Sequence, residues 1–124
     1  MSISSLLRNL FKNKKSVKPQ QPEDFYITEI TKEHIKVTHP NRQDEKIRWD
    51  EIDEIRFANT DEGPFLPDVW MVLSGNGKGC SIPQGSQGWD DVYEIVSKYP
   101  GFNFENVIKS ASCTDNQLFE IWKK

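Results

Sequence analysis

Residues 68–83 read DVWMVLSGNGKGCSIP, and the reading of this stretch decides the fold. Asp68 to Leu73 is the most continuously apolar run in the chain, which places this strand centrally in the sheet. It leads into Gly75-Asn76-Gly77-Lys78-Gly79, where Asn-Gly is the pair that most readily adopts the left-handed conformations of a two-residue hairpin turn. Cys80 to Pro83 then returns as the partner strand. Pro83 has no N–H to give to a ladder, so it marks the end of that strand or the edge of the sheet. The stretch predicts a central antiparallel hairpin.

Working upstream, the apolar residues keep a period of two. Phe25 to Ile30 predicts a strand, Thr31-Lys32-Glu33 a turn, and His34 to Thr38 a second strand. Pro40 to Asp44 reads as a polar loop, followed by a third strand, Lys46 to Trp49, with Ile47 and Trp49 on one face. Asp50-Glu51-Ile52 is a tight step, and Glu54 to Ala58 resumes the alternation. Residues 60–67 (TDEGPFLP) are rich in turn formers and predict a loop.

Downstream the period lengthens. Trp89, Val92, Ile95 and Val96 share a helical face between about Gly88 and Lys98, stopped by Pro100-Gly101. Phe104, Val107 and Ile108 mark a second short helix with Asn103 as its N-cap. Leu118 to Trp122 carries both helical and strand signals and is assigned as a strand. Strands first and helices last, joined by short hairpins, predict an α+β fold on an antiparallel sheet.

The N-terminal segment differs from the rest. In residues 1–15 (MSISSLLRNLFKNKK) Ile3, Leu6, Leu7, Leu10 and Phe11 recur at helical spacing, with Arg8, Lys12 and Lys15 on the other side. Residues 16–23 have the proline and glutamine content of a linker. This predicts a short basic amphipathic helix (1–15), a linker (16–23) and one α+β domain (24–124).

Charge follows the same division. Residues 1–22 hold Arg8, Lys12, Lys14, Lys15 and Lys18 and no acid, a formal +5, while the other 11 bases and 19 acids give the body −8. An acidic body argues against nucleic acid, whose phosphates need clustered Lys and Arg. It suits a basic protein partner. Cys80 and Cys113 lack CxxC spacing, and His34 and His39 lack partners at zinc-ligand spacing, so no metal or cofactor is expected. No apolar run reaches the length of a membrane span, and the N-terminus lacks a signal-peptide pattern. These features predict a cytoplasmic location, or a peripheral one at the inner face of the membrane.

The segment from Phe25 to Phe57, with Ile47-Arg48-Trp49-Asp50-Glu51-Ile52-Asp53-Glu54-Ile55 at its centre, resembles the start of a bacterial pleckstrin-homology-like domain. That resemblance implies a partly closed β-barrel followed by C-terminal helices. It places Trp49 and Ile52 at the corner where the sheet bends, with Ile55 and Phe57 facing the core. Lipid-binding members carry a Lys/Arg cluster in the first hairpin loop, where this chain has Lys32 beside Glu29 and Glu33. The run from Trp49 to Trp122 is also similar to a group of small uncharacterised bacterial proteins, through Asp61-Glu62-Gly63-Pro64-Phe65, Asp68-Val69-Trp70, Pro100-Gly101-Phe102 and Thr114-Asp115-Asn116.

Candidate chemistry is sparse. The acids Asp61, Glu62 and Asp68 lack the ligand spacing of a calcium loop, and no histidine or nucleophile completes an acid–base site. The Gly75–Gly79 run joins strand to strand, unlike a phosphate loop, which leads into a helix. Phe65, Trp70 and Trp89 stand beside turns, where an edge would stay exposed. Trp49, Trp70 and Trp122 are read as core, and Phe65 as the exposed anchor. The resulting expectation is a non-catalytic protein-binding domain with a partner edge at Asp61, Glu62, Phe65 and Asp68. Its most specific form is an acidic, toxin-neutralising immunity-type protein. The alternative is a peripheral membrane adaptor whose residues 1–18 make weak contact with anionic lipid through Leu6, Leu7, Arg8, Leu10, Phe11, Lys12, Lys14 and Lys15.

Overall fold

A computed structural model describes residues 22–61 and 68–124. The expected N-terminal helix, and all of the linker before Pro22, lie outside the described residues. The fold is α+β, built on two antiparallel sheets. Strands β1 (Ile27–Ile30), β2 (His34–His39) and β3 (Arg42–Arg48) form one sheet in the order β1-β2-β3. Strands β4 (Glu54–Asn59), β5 (Val69–Gly75), β6 (Lys78–Pro83) and β7 (Gln117–Lys123) form the other, in the order β6-β5-β4-β7.

The hairpin read from residues 68–83 stands as expected. Asn76 (φ 54°) and Gly77 (φ 71°) make its turn, β5 is an interior strand, and β6 is an edge ending at Pro83. Alternation along β4 and β5 sends Ile55, Phe57, Met71 and Leu73 inward. There they join Ile35, Ile47, Cys80, Ile82, Phe119 and Ile121 in one hydrophobic core. Each such aliphatic side chain contributes about 1.5–3 kcal/mol on burial.

Three boundaries differ from the sequence reading. The polar loop expected at Pro40–Asp44 shrinks to the two-residue turn Pro40-Asn41, and β3 begins at Arg42. Phe25 lies in a 3-10 turn, Pro22–Phe25, closed by Tyr26 N–H on Glu23 O (3.1 Å), and β1 starts two residues later. Trp49 likewise leaves the strand to open the 3-10 turn Trp49–Glu51. The chain turns there because Trp49 N–H donates to Glu33 O (3.0 Å) and Arg48 N–H to the Glu51 carboxylate (3.0 Å). The Trp49 indole donates to Thr31 O (2.7 Å), so this residue clamps the β1–β2 turn at the sheet corner. Ile52, Ile55 and Phe57 are buried behind it.

The antiparallel sheet was expected either open or as a partly closed barrel, and the two sheets do not close into a barrel. β3 and β6 approach each other without forming a ladder, and the sheets remain separate. Side chains fill the join. Glu45 of β3 accepts the Ser81 N–H of β6 (2.9 Å), and the next outward position on β6 is Pro83, which has no N–H to offer. A carboxylate thus satisfies the edge that a neighbouring strand would otherwise pair.

Helix α1 (Trp89–Val96) packs Trp89, Val92 and Val96 into the core, with Trp89 against the Phe57 ring at 5.3 Å. Ile95, expected on the same face, is 38% exposed. Gly88 before it has φ 98°, and a Cβ there would lie 2.6 Å from the Thr28 Cβ. Helix α2 (Phe104–Ala111) follows the Pro100-Gly101 turn, whose Pro100 carbonyl is held by the Trp122 indole (2.9 Å). Residues 117–123 form the strand assigned to them and return beside β4.

Candidate functional site

Of the expected partner edge, Asp61 and Asp68 are exposed, and Glu62 and Phe65 lie outside the described residues. The loop ends are drawn together by Thr60 N–H on Asp68 O (2.7 Å), and Asp61 N–H is held by the Asn116 side chain (3.0 Å). Leu6, Leu7, Arg8, Leu10, Phe11, Lys12, Lys14 and Lys15 also lie outside the described residues. Trp89, weighed as an exposed anchor, is buried at 6% exposure. Trp70 is half-buried and covered: Tyr26 meets it edge-on at 5.3 Å and the Arg42 guanidinium stands 5.7 Å from its ring. Arg42 also donates to the Tyr26 hydroxyl (3.0 Å), a bond that raises its pKa further.

Among the described residues, no three His, Cys, Asp or Glu side chains converge to hold a metal ion. Cys80 is buried and its pKa is pushed up to about 12, chiefly by desolvation, so it stays a neutral thiol. A charged cleft of about 540 Å³ is lined by Glu33, His34, Lys46, Arg48, Glu51 and Lys78. Beside it, the cross-strand pair Lys36 with Lys46 opposes like charges, which by itself is unfavourable. Acids offset this: Lys36 meets Asp44 (3.5 Å), Arg48 meets Asp50 (3.1 Å) and Lys78 meets Glu51 (3.0 Å). Glu51 accepts bonds from Asn76 (2.8 Å), Arg48 N–H and Lys78, which hold its pKa down to about 2. With Asp44 and Asp50 beside it, the cleft is an ion-pair network in which acids offset the cations.

A second groove, about 480 Å³, runs between the Pro22–Phe25 turn and the β2–β3 turn. Phe25 (41% exposed) and Ile27 (54%) line it with Asp24, Thr38, His39 and Pro40. His39 is already packed on the Tyr26 ring at 4.4 Å. Two exposed apolar side chains make this a minor patch.

The most unusual surface belongs to α2. Asn103 caps the helix by accepting Asn106 N–H (2.9 Å), and its own N–H donates to Ile121 O (2.7 Å). Asn106 Nδ2 donates to Glu120 O (2.7 Å), and Ser110 is buried against Asn59. Polar groups therefore fasten the helix to β7 and β4, with Val107 as its apolar contribution to the core. Phe104 and Ile108 face outward, 52% and 68% exposed, one turn apart. The amphipathicity is inverted. An ordinary surface helix buries its apolar stripe, because burial of that stripe is what holds it down.

Phe104 is nevertheless held in place. Its ring packs 4.8 Å from the buried Phe102, which meets Tyr93 of α1 at 5.7 Å. Helix α1, which carries Tyr93, exposes Asp90, Asp91 and Glu94. Sequence periodicity found the α2 residues but assigned them to a helix face without its direction. The available signal was Asn106 and Ser110, two polar residues at i and i+4 on the side of α2 away from Phe104 and Ile108. Comparison with protein-family models, curated proteins and solved structures finds no match to this chain.

Proposed function

We propose that this protein is a non-catalytic protein-binding domain, and that the outer face of α2 is one of its binding surfaces. The observation that carries this reading is the inverted helix, on which Phe104 and Ile108 are exposed while Asn106 and Ser110 serve the fold. Aromatic and branched side chains held ready at a surface are typical interface anchors. In its most specific form the reading is an acidic immunity-type protein that neutralises a basic toxin. The body's formal charge of −8 and the exposed Asp61, Asp68, Asp90, Asp91 and Glu94 support that form. A pleckstrin-homology-like ancestry, carried by the run from Ile47 to Ile55, belongs to the same proposal. The test is affinity capture from the host with full-length protein and its Ile108→Asp variant. A stoichiometric protein retained by the first and lost by the second supports the reading; identical captures reject it.

The second reading, a peripheral membrane adaptor at the cytoplasmic face, rests on the Leu/Phe face and the five cations of residues 1–18. Among the described residues no helix is long and apolar enough to cross a membrane. Flotation with anionic vesicles tests this reading. Binding that survives deletion of residues 1–18 rejects it.

A further inference from the structure

This inference rests on the reading of the α2 outer face as an interface and names what covers it. We infer that the occupant is a second copy of this chain, its α2 packed antiparallel to the first across a two-fold axis. An isologous contact requires a surface complementary to itself, each residue i meeting j while j meets i. The outward residues of α2 meet that requirement. Phe104 and Ile108 are one apolar pair four apart, and Glu105 and Lys109 are one charge pair four apart.

The registers agree. Opposing Phe104 to Ile108 of the other copy centres the axis beside Asn106, and opposing Glu105 to Lys109 centres it beside Val107. At a rise of about 1.5 Å per residue, an axis midway between serves both, with each opposed pair offset by about 1.5 Å along the helix. Within one chain Lys109 Nζ lies 3.5 Å from Glu105 Oε1, with the two side chains 58% and 78% exposed. So exposed a pair contributes little to the monomer and is free to be shared across an axis. The face carries one charge of each sign, so it does not select a basic partner as the carboxylates of α1 do. It matches itself. Pairing here leaves Asp61, Asp68, Asp90, Asp91 and Glu94 outside the proposed contact residues, on both copies. A helix of eight residues offers less area than the roughly 1,200 Å² of a standard interface, so the dimer is weak and concentration-dependent.

The test is sedimentation equilibrium of the full-length chain from micromolar to millimolar concentration, with circular dichroism confirming that each variant is folded. A reversible monomer–dimer equilibrium is expected, weakened roughly tenfold or more by Ile108→Glu. Glu105→Lys sets two lysines opposite each other at both ends of the contact, and Lys109→Glu sets two glutamates there. Each variant alone should dimerise roughly tenfold more weakly, while an equimolar mixture of the two should restore association, because every opposed pair is then again of opposite sign. A purely intrachain role for the pair gives no such rescue. A chain that stays monomeric, a dimer indifferent to Ile108→Glu, or a mixture that fails to associate overturns the inference. Host capture with the same Ile108→Glu protein separates the two levels. If capture is lost while the chain is monomeric, the interface stands and the second copy falls; if capture is unchanged and the chain is monomeric at every concentration, both fall.

Discussion

Asn59 and Ser110, separated by 51 residues, form a buried reciprocal pair: the Ser110 hydroxyl donates to Asn59 Oδ1 (2.5 Å), and Asn59 Nδ2 donates to Ser110 O (2.8 Å). Nδ2 also reaches Cys113 O (3.2 Å), so one amide closes the C-terminal end of α2. Asn59→Ala strands the Ser110 hydroxyl without water and should cost about 2 kcal/mol. Adding Ser110→Ala should cost less than it does alone, because the partner is already gone. Urea unfolding at constant m-value checks both, and strict additivity of the two changes would contradict the coupling.

Gly75 ends β5 against the tight turn at the sheet corner. A Cβ there would overlap the Glu51 carbonyl oxygen and lie 3.0 Å from Asp53 N, both backbone atoms. Gly75→Ala should therefore destabilise by about 3 kcal/mol. At Gly79, a few residues along the same hairpin, the nearest atom to a new Cβ is Leu73 O at 3.5 Å, an ordinary contact. Gly79→Ala should stay within about 0.5 kcal/mol of the parent. Chemical denaturation of the two variants side by side is the check; equal effects would refute the crowding argument.

Glu51 supplies a pH signature. Its carboxyl is held down to about 2 by the bonds from Asn76, Arg48 N–H and Lys78, against an ordinary 4.5. The unfolded chain therefore takes up this proton first as the pH falls. The stabilisation is complete above about pH 4.5 and is lost as the pH drops from there toward 2. Glu51→Gln should reduce the loss of stability across that window, measured by thermal melts from pH 6 to pH 2. An acid limb identical to the parent's would remove Glu51 from the account.

The two thiols should behave differently. Cys80 is fully buried with its pKa near 12, whereas Cys113 is half-buried, near Asp115 O and the Gln117 side chain. A thiol reagent at pH 8 should label Cys113 in the folded protein and reach Cys80 only on unfolding. Equal labelling rates in the native state would show that the core around Cys80 opens locally.

The β5–β6 hairpin was legible because its turn depends on two adjacent residues, Asn76 and Gly77, and the β4 and β5 faces because apolar residues alternate along them. The start of β3 was not, since Arg42, Gln43 and Asp44 are all exposed and show no period. The Trp49 turn depends on Glu33, and the open join between the sheets on Glu45 and Ser81, 36 residues apart; such contacts leave no local trace. The same limit applied to the site. A helical period marks Phe104, Val107 and Ile108 as sharing a side, yet only the positions of Asn59 and Glu120 decide which side turns inward. In Trp89 the neighbouring turn suggested an exposed edge, and the ring instead fills the space over Phe57.

The polar anchoring of α2 has a consequence for how this surface changes over generations. Asn103, Asn106 and Ser110 secure the helix through atoms that Glu105, Ile108 and Lys109 do not touch, so substitutions at those three positions leave folding almost unaffected. Most binding surfaces are constrained because the residues that recognise a partner also hold the domain together. On the proposed reading the two tasks are divided between opposite sides of eight residues, and selection is free to rewrite recognition while the scaffold stays as it is.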